Sequence, residues 1–109
     1  MEFSICYITC ASIEEAKSIV HTLLSEKLIA CANINDNICS IYPWNGEIQE
    51  DNEVLVFAKT RSILKETVCQ RVTDLHSYEC PCIAFFELNH ANQPYLDWLD
   101  KEIINLQDS

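Results

Sequence analysis

The sequence predicts an α+β fold of the ferredoxin-like type, with a four-stranded antiparallel sheet, helices on one face, a long central β-hairpin and an extra C-terminal helix. Three observations predict it. β-prone and amphipathic segments alternate in the order strand, helix, strand, strand, helix, strand, which is the order of two βαβ halves. An Asn45-Gly46 pair between the middle strands is typical of a tight hairpin. A last helical segment follows the second half. With no linker, residues 1–109 are predicted to form one domain.

A strand and a helix open the chain. Residues 3–9 are apolar on both faces and rich in β-branched and aromatic side chains, as in a central strand. Ser12 is the predicted N-cap of the helix, and Glu15, three residues later, completes a capping box. Glu14 and Glu15 in the first turn, and Lys27 in the last turn, match the helix dipole.

The hairpin is predicted over residues 31–60, with strands at 34–42 and 48–58. Gly46 is the only glycine of the chain, and a type I′ turn needs φ > 0 at both central residues. A hairpin of this length is unstable alone, so another subunit is expected to cover its exposed end at Trp44 and Ile48.

The second half repeats the plan. Ser62 is predicted to cap the second helix, and residues 82–88 form a near-continuous apolar run of strand length. Asn92 and Pro94 begin the third helix, whose apolar stripe runs to Leu106. The opposite face of the sheet has no helices of its own, so the protein is predicted not to be a monomer.

Composition excludes several function classes. The net charge of −10 argues against nucleic acid and anionic membrane surfaces as partners, and favours cations or basic partners. No apolar run approaches the ~18 residues of a membrane span, and the first residues lack the basic region of a signal peptide. Seven cysteines, mostly in apolar segments, favour a reducing, cytoplasmic setting with buried thiols.

Four blocks of sequence lie in order along nearly the whole chain, at residues 26–34, 41–48, 75–81 and 95–99. In composition and spacing, they resemble the successive blocks of the CutA-type divalent-cation tolerance proteins. The resemblance implies a ferredoxin-like subunit in a tight homotrimer whose long hairpins interlock. It also implies a link to tolerance of copper and other divalent metals, and no established enzymatic reaction.

The resemblance further implies a copper site, but two of its three ligands are replaced. In bacterial members, copper is attributed to a Cys near the end of the first strand and to a His pair before Pro-Tyr. Ile8 and Leu75 occupy the first two of these positions here. Only His76 is kept.

Other residues near these positions offer soft and borderline ligands that suit copper or another divalent transition metal. Cys10 lies two residues beyond Ile8, and Cys80 and Cys82 follow His76. One hypothesis is a low-coordination copper site of His76, Cys80 and Cys82 at a subunit boundary. The alternative is structural: the two thiols fill space beside the second helix, and His76 caps that helix as a cation near its dipole.

Two further groups of residues are candidates for weaker sites. The acidic run at 47–53 is interpreted as a solvated surface that protects the strand edge. An aromatic group with one lysine is predicted either to line an inter-subunit cleft or to close the trimer by packing. This group contains Trp44, Lys59, Tyr78, Tyr95 and Trp98.

Together, the residues and the resemblance predict a cytosolic, non-enzymatic protein, which the resemblance implies is a homotrimer that binds, buffers or responds to transition-metal ions. It lacks a glycine-rich phosphate loop, an H-E-x-x-H motif and an evident nucleophile with its base. The alternative function is a trimeric small-ligand sensor or scaffold that acts through the inter-subunit cleft and an unknown protein partner. A thiol-dependent enzyme is the third hypothesis and would require a Cys with a depressed pKa.

Overall fold

The computed structural model describes residues 2–105. Leu106, predicted for the apolar stripe of the third helix, lies outside this range. Four strands, three α-helices and one 3₁₀ turn follow in the order β1 (Phe3–Cys10), α1 (Ile13–Ser25), β2 (Cys31–Trp44), β3 (Glu47–Arg61), the 3₁₀ turn (Ser62–Leu64), α2 (Lys65–Leu75), β4 (Ile83–Leu88) and α3 (Gln93–Glu102). None of these helices is long and apolar enough to cross a membrane.

The strands form one antiparallel sheet in the order β2-β3-β1-β4. This confirms the predicted ferredoxin-like α+β fold, because the two central strands, β3 and β1, come from different halves of the chain. Cys6 of β1 lies between Ala58 and Phe85 of its neighbours, and alternate residues of β1 point into the core. The core also contains buried residues of α1 and α2, namely Ala16, Ile19, Val20, Leu23, Val68 and Val72.

The long hairpin of β2 and β3 is confirmed, and each strand extends beyond its predicted ends. Asn45 and Gly46 have φ of 51° and 83°, as the two positive-φ positions of the turn require. A bulge interrupts the pairing between Asn35 and Ile38, with Asn37 at φ 66°. The hairpin makes the molecule elongated, with principal extents of 47 × 27 × 23 Å.

Helix α1 begins as predicted but ends differently. The Ser12 hydroxyl accepts a hydrogen bond from the backbone N–H of Glu15, at 3.1 Å. Lys27 is not in the last helical turn: it lies beyond Ser25 with φ of 59°, in the left-handed region. Its N–H donates to the carbonyl of Leu24, so the helix ends in a Schellman-type turn whose left-handed position is occupied by lysine instead of glycine.

The predicted Ser62 cap of α2 is wrong. Ser62 opens the 3₁₀ turn, and α2 begins at Lys65 without a side-chain cap. The Ser62 hydroxyl donates to Glu87 at 3.0 Å and lies 2.7 Å from the hydroxyl of Ser4. Contacts with the neighbouring strands therefore take the hydroxyl away from the helix.

Candidate functional site

Three ligand-type side chains meet where β1 ends. The Cys10 sulfur, a carboxylate oxygen of Glu15 and a ring nitrogen of His76 all lie within 4.8 Å of one another. Cys10 is the last residue of β1, Glu15 belongs to the first turn of α1, and His76 is the C-cap of α2. Within residues 2–105 no other group of three or more Cys, His, Asp and Glu side chains meets this distance.

Glu15 connects two segments that are far apart in sequence. Its carboxylate accepts hydrogen bonds from the backbone N–H of Ala11 at 3.0 Å and of Ser77 at 2.9 Å. Burial acts to raise the pKa of this carboxyl, but the hydrogen bonds from Ser77 and Ala11 and the nearby His76 outweigh burial and lower it. Glu15 is therefore held as a carboxylate, and only half of the predicted capping box forms.

The hydrogen bonds of His76 define its tautomer. Nε2 lies 2.7 Å from the carbonyl oxygen of Thr9, which can only accept, so Nε2 carries the proton. Nδ1 accepts a hydrogen bond from the backbone N–H of Tyr78, at 3.1 Å. Both ring nitrogens therefore contact backbone groups, and His76 lies at the C-cap of α2, where the structural alternative placed it.

Cys10 is a fully buried thiol. Burial raises its pKa to about 12, and the carboxylates of Glu15 and Glu53 add to the rise. The protonated thiol is thus the stable form of the free side chain. A cation placed beside it would offset both the burial and the negative neighbours, as a transition-metal ion does.

Cys80 and Cys82 lie in a different place from this trio. Both are exposed, in the loop before β4, and they line a cleft together with Tyr78. His76, Cys80 and Cys82 do not meet the distance that joins Cys10, Glu15 and His76. The structure therefore brings together two of the four predicted metal ligands, adds Glu15, and separates the Cys80 and Cys82 thiols from them.

This cleft of about 600 Å³ lies along the hairpin, lined by the half of β2 next to the turn and by the loop after α2. Its deepest carboxylate belongs to Glu53, which is 8% exposed and accepts a hydrogen bond from the Tyr78 hydroxyl at 2.6 Å. Burial and the Glu53 carboxylate raise the pKa of Tyr78 well above its ordinary range. The lining also includes aromatic and thiol side chains, among them Tyr7, Tyr42, Trp44, Cys39, Cys80 and Cys82.

The five residues predicted for an inter-subunit cleft fall into separate groups within one chain. Trp44 and Tyr78 line the cleft along the hairpin. Tyr95 and Trp98 stack with ring centroids 6.0 Å apart, and Lys59 donates a hydrogen bond to Asn33. The Tyr95 hydroxyl lies 3.3 Å from the sulfur of Cys31. A site shared by all five would need a second chain, and it stays a prediction.

Sequence reasoning missed the two carboxylates that organise these sites. Glu15 was interpreted only as a helix cap, because its partner Ser77 lies 62 residues away. Glu53 was assigned to a solvated acidic run, but it is buried against Tyr78. The one sequence signal is the place of Glu53 directly before the apolar residues of β3, from Val54 onward.

The fold and the trio of ligand-type side chains define the class of this molecule as a small α+β protein with a candidate transition-metal centre. The family model described as "CutA1 divalent ion tolerance protein" matches residues 4–102. The chain belongs to this family, which confirms the resemblance seen in the four sequence blocks.

Individual relatives agree with this assignment. The chain is 42% identical over 98 residues to the divalent-cation tolerance protein CutA of Pyrococcus horikoshii, covering 90% of this chain and 95% of the relative. It is 35% identical over 106 residues to human Protein CutA, covering 97% of this chain but only 59% of the human protein. The crystal structure of CutA1 from Oryza sativa aligns with a TM-score of 0.94 and 32% identity, covering 96% of both chains. The archaeal relative is named as a tolerance protein, not as an enzyme.

Proposed function

We propose that this protein binds a transition-metal ion, copper foremost, through Cys10, Glu15 and His76, and that this binding underlies a role in divalent-cation tolerance. The proposal rests on one observation, the meeting of the three ligand atoms within 4.8 Å. A thiolate, a carboxylate and an imidazole form a borderline donor set that suits Zn(II) and copper. Among divalent first-row metals, such a set holds copper most tightly.

The hydrogen bonds around the trio are compatible with a bound ion. The Glu15 carboxylate accepts the backbone N–H groups of Ala11 and Ser77 and a hydrogen bond from the Ser77 side chain, and of its about four lone-pair positions one remains for a metal. His76 would give up one of its two hydrogen bonds, to Tyr78 or to Thr9, and the remaining bond would orient the ring. Cys10 would lose its proton, since the thiolate is the ligand form.

A competition titration tests this proposal. The reduced protein competes for Zn(II), which is redox-inert, against a chromophoric chelator of known affinity, and the titration is repeated with Cu(I) without oxygen. Cys10→Ala should weaken binding by at least the ~10–100-fold that loss of a second-shell partner costs. Cys6→Ala is the matched control, because Cys6 is equally buried in the same strand, has a pKa also raised to about 12 and is outside the trio. Equal affinity of the two variants would contradict the proposal.

The thiol pair of Cys80 and Cys82 is the competing metal site. A double Cys80→Ser and Cys82→Ser variant should bind Zn(II) and Cu(I) as the wild type does if the trio is the site. A loss of Cu(I) affinity of well over about tenfold would instead support the hypothesis of a copper site at His76, Cys80 and Cys82. Glu15→Gln gives the complementary result, since Glu15 belongs to the trio and not to the thiol pair.

The assembly that we propose is a homotrimer formed through the long hairpin of β2 and β3. Its apolar side chains at Ile41 and Ile48 are 63% and 72% exposed, and Phe86 on the helix-free face of the sheet is 54% exposed. Large exposed apolar surfaces of this kind favour self-association. A monomeric mass at micromolar concentration would refute this part of the proposal.

We also propose the cytoplasm as the compartment and a non-enzymatic role. All seven cysteines are free thiols, which suits a reducing environment. Relatives carry other locations in their names: the Arabidopsis protein is called chloroplastic and the Archaeoglobus structure periplasmic. Fractionation of the source cells, followed by detection with a specific antibody, distinguishes these compartments.

A second candidate function is that of a small-ligand sensor or scaffold acting through a cleft and a protein partner. The observation that favours it is the cleft of about 600 Å³ with the buried Glu53 carboxylate at its base. A cavity of this volume, with few polar groups among apolar walls, is typical of small-molecule sites.

A further inference from the structure

The cleft along the hairpin contains a carboxylate with one side-chain donor among the described residues. Glu53 is 8% exposed, and the Tyr78 hydroxyl is the single described donor to its side chain, at 2.6 Å to Oε2. No buried side-chain oxygen or nitrogen of the described residues lacks a hydrogen-bond partner, so Oε1, for which no donor is seen, is accessible to solvent and to a ligand.

The charged side chains that line the cleft are all acidic. Glu53 and Glu79 line it, and no Lys or Arg of residues 2–105 does. Asp51 lies close by, where it accepts a hydrogen bond from Tyr42 of the cleft wall. The whole chain carries a net charge of −10. An anionic ligand would be repelled, whereas a cation would be attracted and could pair with Oε1 of Glu53.

The walls of the cleft favour an organic cation. Tyr7, Tyr42, Trp44 and Tyr78 all line it, and the faces of such rings attract ammonium groups within about 6 Å. The volume of about 600 Å³ lies in the range of small-molecule sites and far exceeds that of a bare ion. Glu53 pairs with Ile38, the first residue of β2 after the β-bulge, and Ile38 also lines the cleft.

We propose that this cleft binds an organic ammonium ion, with its charged nitrogen beside Glu53 and its apolar part against the aromatic rings. This inference rests on the second candidate function, ligand binding in the cleft, and is independent of the metal trio. In a trimer, the same cleft would lie next to a neighbouring subunit.

Three probes of the same shape test the charge preference directly. Benzylamine is a cation at neutral pH, benzyl alcohol is its neutral counterpart, and benzoate is the anion. Trp98→Phe leaves Trp44 as the only tryptophan, so its fluorescence reports on the cleft during each titration. Benzylamine should bind at least about tenfold more tightly than benzyl alcohol, since a hydrogen bond to a charged partner is worth about that factor or more. Benzoate should not bind.

Two glutamine variants identify the carboxylate. Glu53→Gln keeps an acceptor for the Tyr78 hydroxyl but removes the charge, and it should abolish the preference for benzylamine. Glu50→Gln is the matched control, because Glu50 is an exposed residue of the same strand, outside the cleft lining, with the same charge change. Its affinities should match those of the parent.

Each of the other outcomes refutes a defined part of the proposal. Equal binding of benzylamine and benzyl alcohol would refute the ammonium ion but keep a small-ligand cleft. Failure of all three probes would refute both, as expected if a neighbouring subunit fills the cleft. Equal losses in Glu53→Gln and Glu50→Gln would show attraction by overall charge without a site.

Discussion

Glu15 is predicted to stabilise the fold as well as to offer a metal ligand. Its carboxylate joins the start of α1 to the loop after α2 through the backbone N–H groups of Ala11 and Ser77. Hydrogen bonds to charged groups contribute roughly 1.5–3 kcal/mol each. Glu15→Gln retains one acceptor oxygen and points an amide N–H at a backbone donor. Since the side chain is partly exposed, we expect a loss of about 2 kcal/mol in the free energy of unfolding.

Urea denaturation without metal, at one fixed protein concentration, measures this loss. With a typical slope of about 2 kcal/mol per molar, the midpoint of Glu15→Gln should fall by about 1 M. Glu14→Gln is the control, since Glu14 lies in the same helical turn, is exposed and has no described side-chain hydrogen bond. Its loss should stay below about 1 kcal/mol, the scale of a helix-dipole interaction. Equal shifts in both variants would refute the reasoning.

The pH dependence of the same variant has a defined sign. The folded-state pKa of Glu15 is lowered from its ordinary value of 4.5, so its contribution is present above that pH and is lost as the pH falls through the folded pKa. The difference between wild type and Glu15→Gln should therefore be constant from pH 7 to about 5 and shrink in more acidic solution. A difference that grows in acid would contradict the lowered pKa.

Three further predictions concern other parts of the chain. Lys27→Gly should raise the free energy of unfolding by about 0.5–1 kcal/mol, because lysine is held at φ 59°. Lys17→Gly, in the middle of α1, should lower it by about 1 kcal/mol. Urea denaturation of both variants tests this, and a change of the same sign in both would contradict it. Tyr78→Phe should cost about 1–3 kcal/mol by leaving the buried Glu53 carboxylate without its donor; an unchanged thermal midpoint would contradict it. Cys10 should be alkylated by iodoacetamide far more slowly than the exposed thiols at pH 7, because burial raises its pKa to about 12; mass mapping of the labelled peptides measures the rates, and fast labelling of Cys10 would show that the site is open.

Local signals were sufficient to predict the fold. The Asn45-Gly46 turn and the Ser12 cap depend on neighbours within a few residues, and both form as expected. Ser62 failed as a cap because its hydroxyl bonds with Glu87 and Ser4, 25 and 58 residues away. Propensity describes what a residue does locally, and a distant partner in the folded chain can override it.

The candidate site was predictable by residue type but not by grouping. Cys10 and His76 were selected because thiol and imidazole are transition-metal ligands, and they do come together. The loop after α2 carries Cys80 and Cys82 into the cleft, which the spacing from His76 does not reveal. Glu15 joined the trio through a backbone contact, and such contacts leave no trace in the side-chain pattern.

The most direct test of the account is a native mass spectrum of the reduced protein during titration with Zn(II), recorded for the wild type, Cys10→Ala and Cys6→Ala. The account predicts one ion for each subunit in the wild type and in Cys6→Ala, and none at the same free metal concentration in Cys10→Ala. The same spectra give the number of subunits. Equal metal loading of all three proteins would contradict the claim that Cys10, Glu15 and His76 form the metal site.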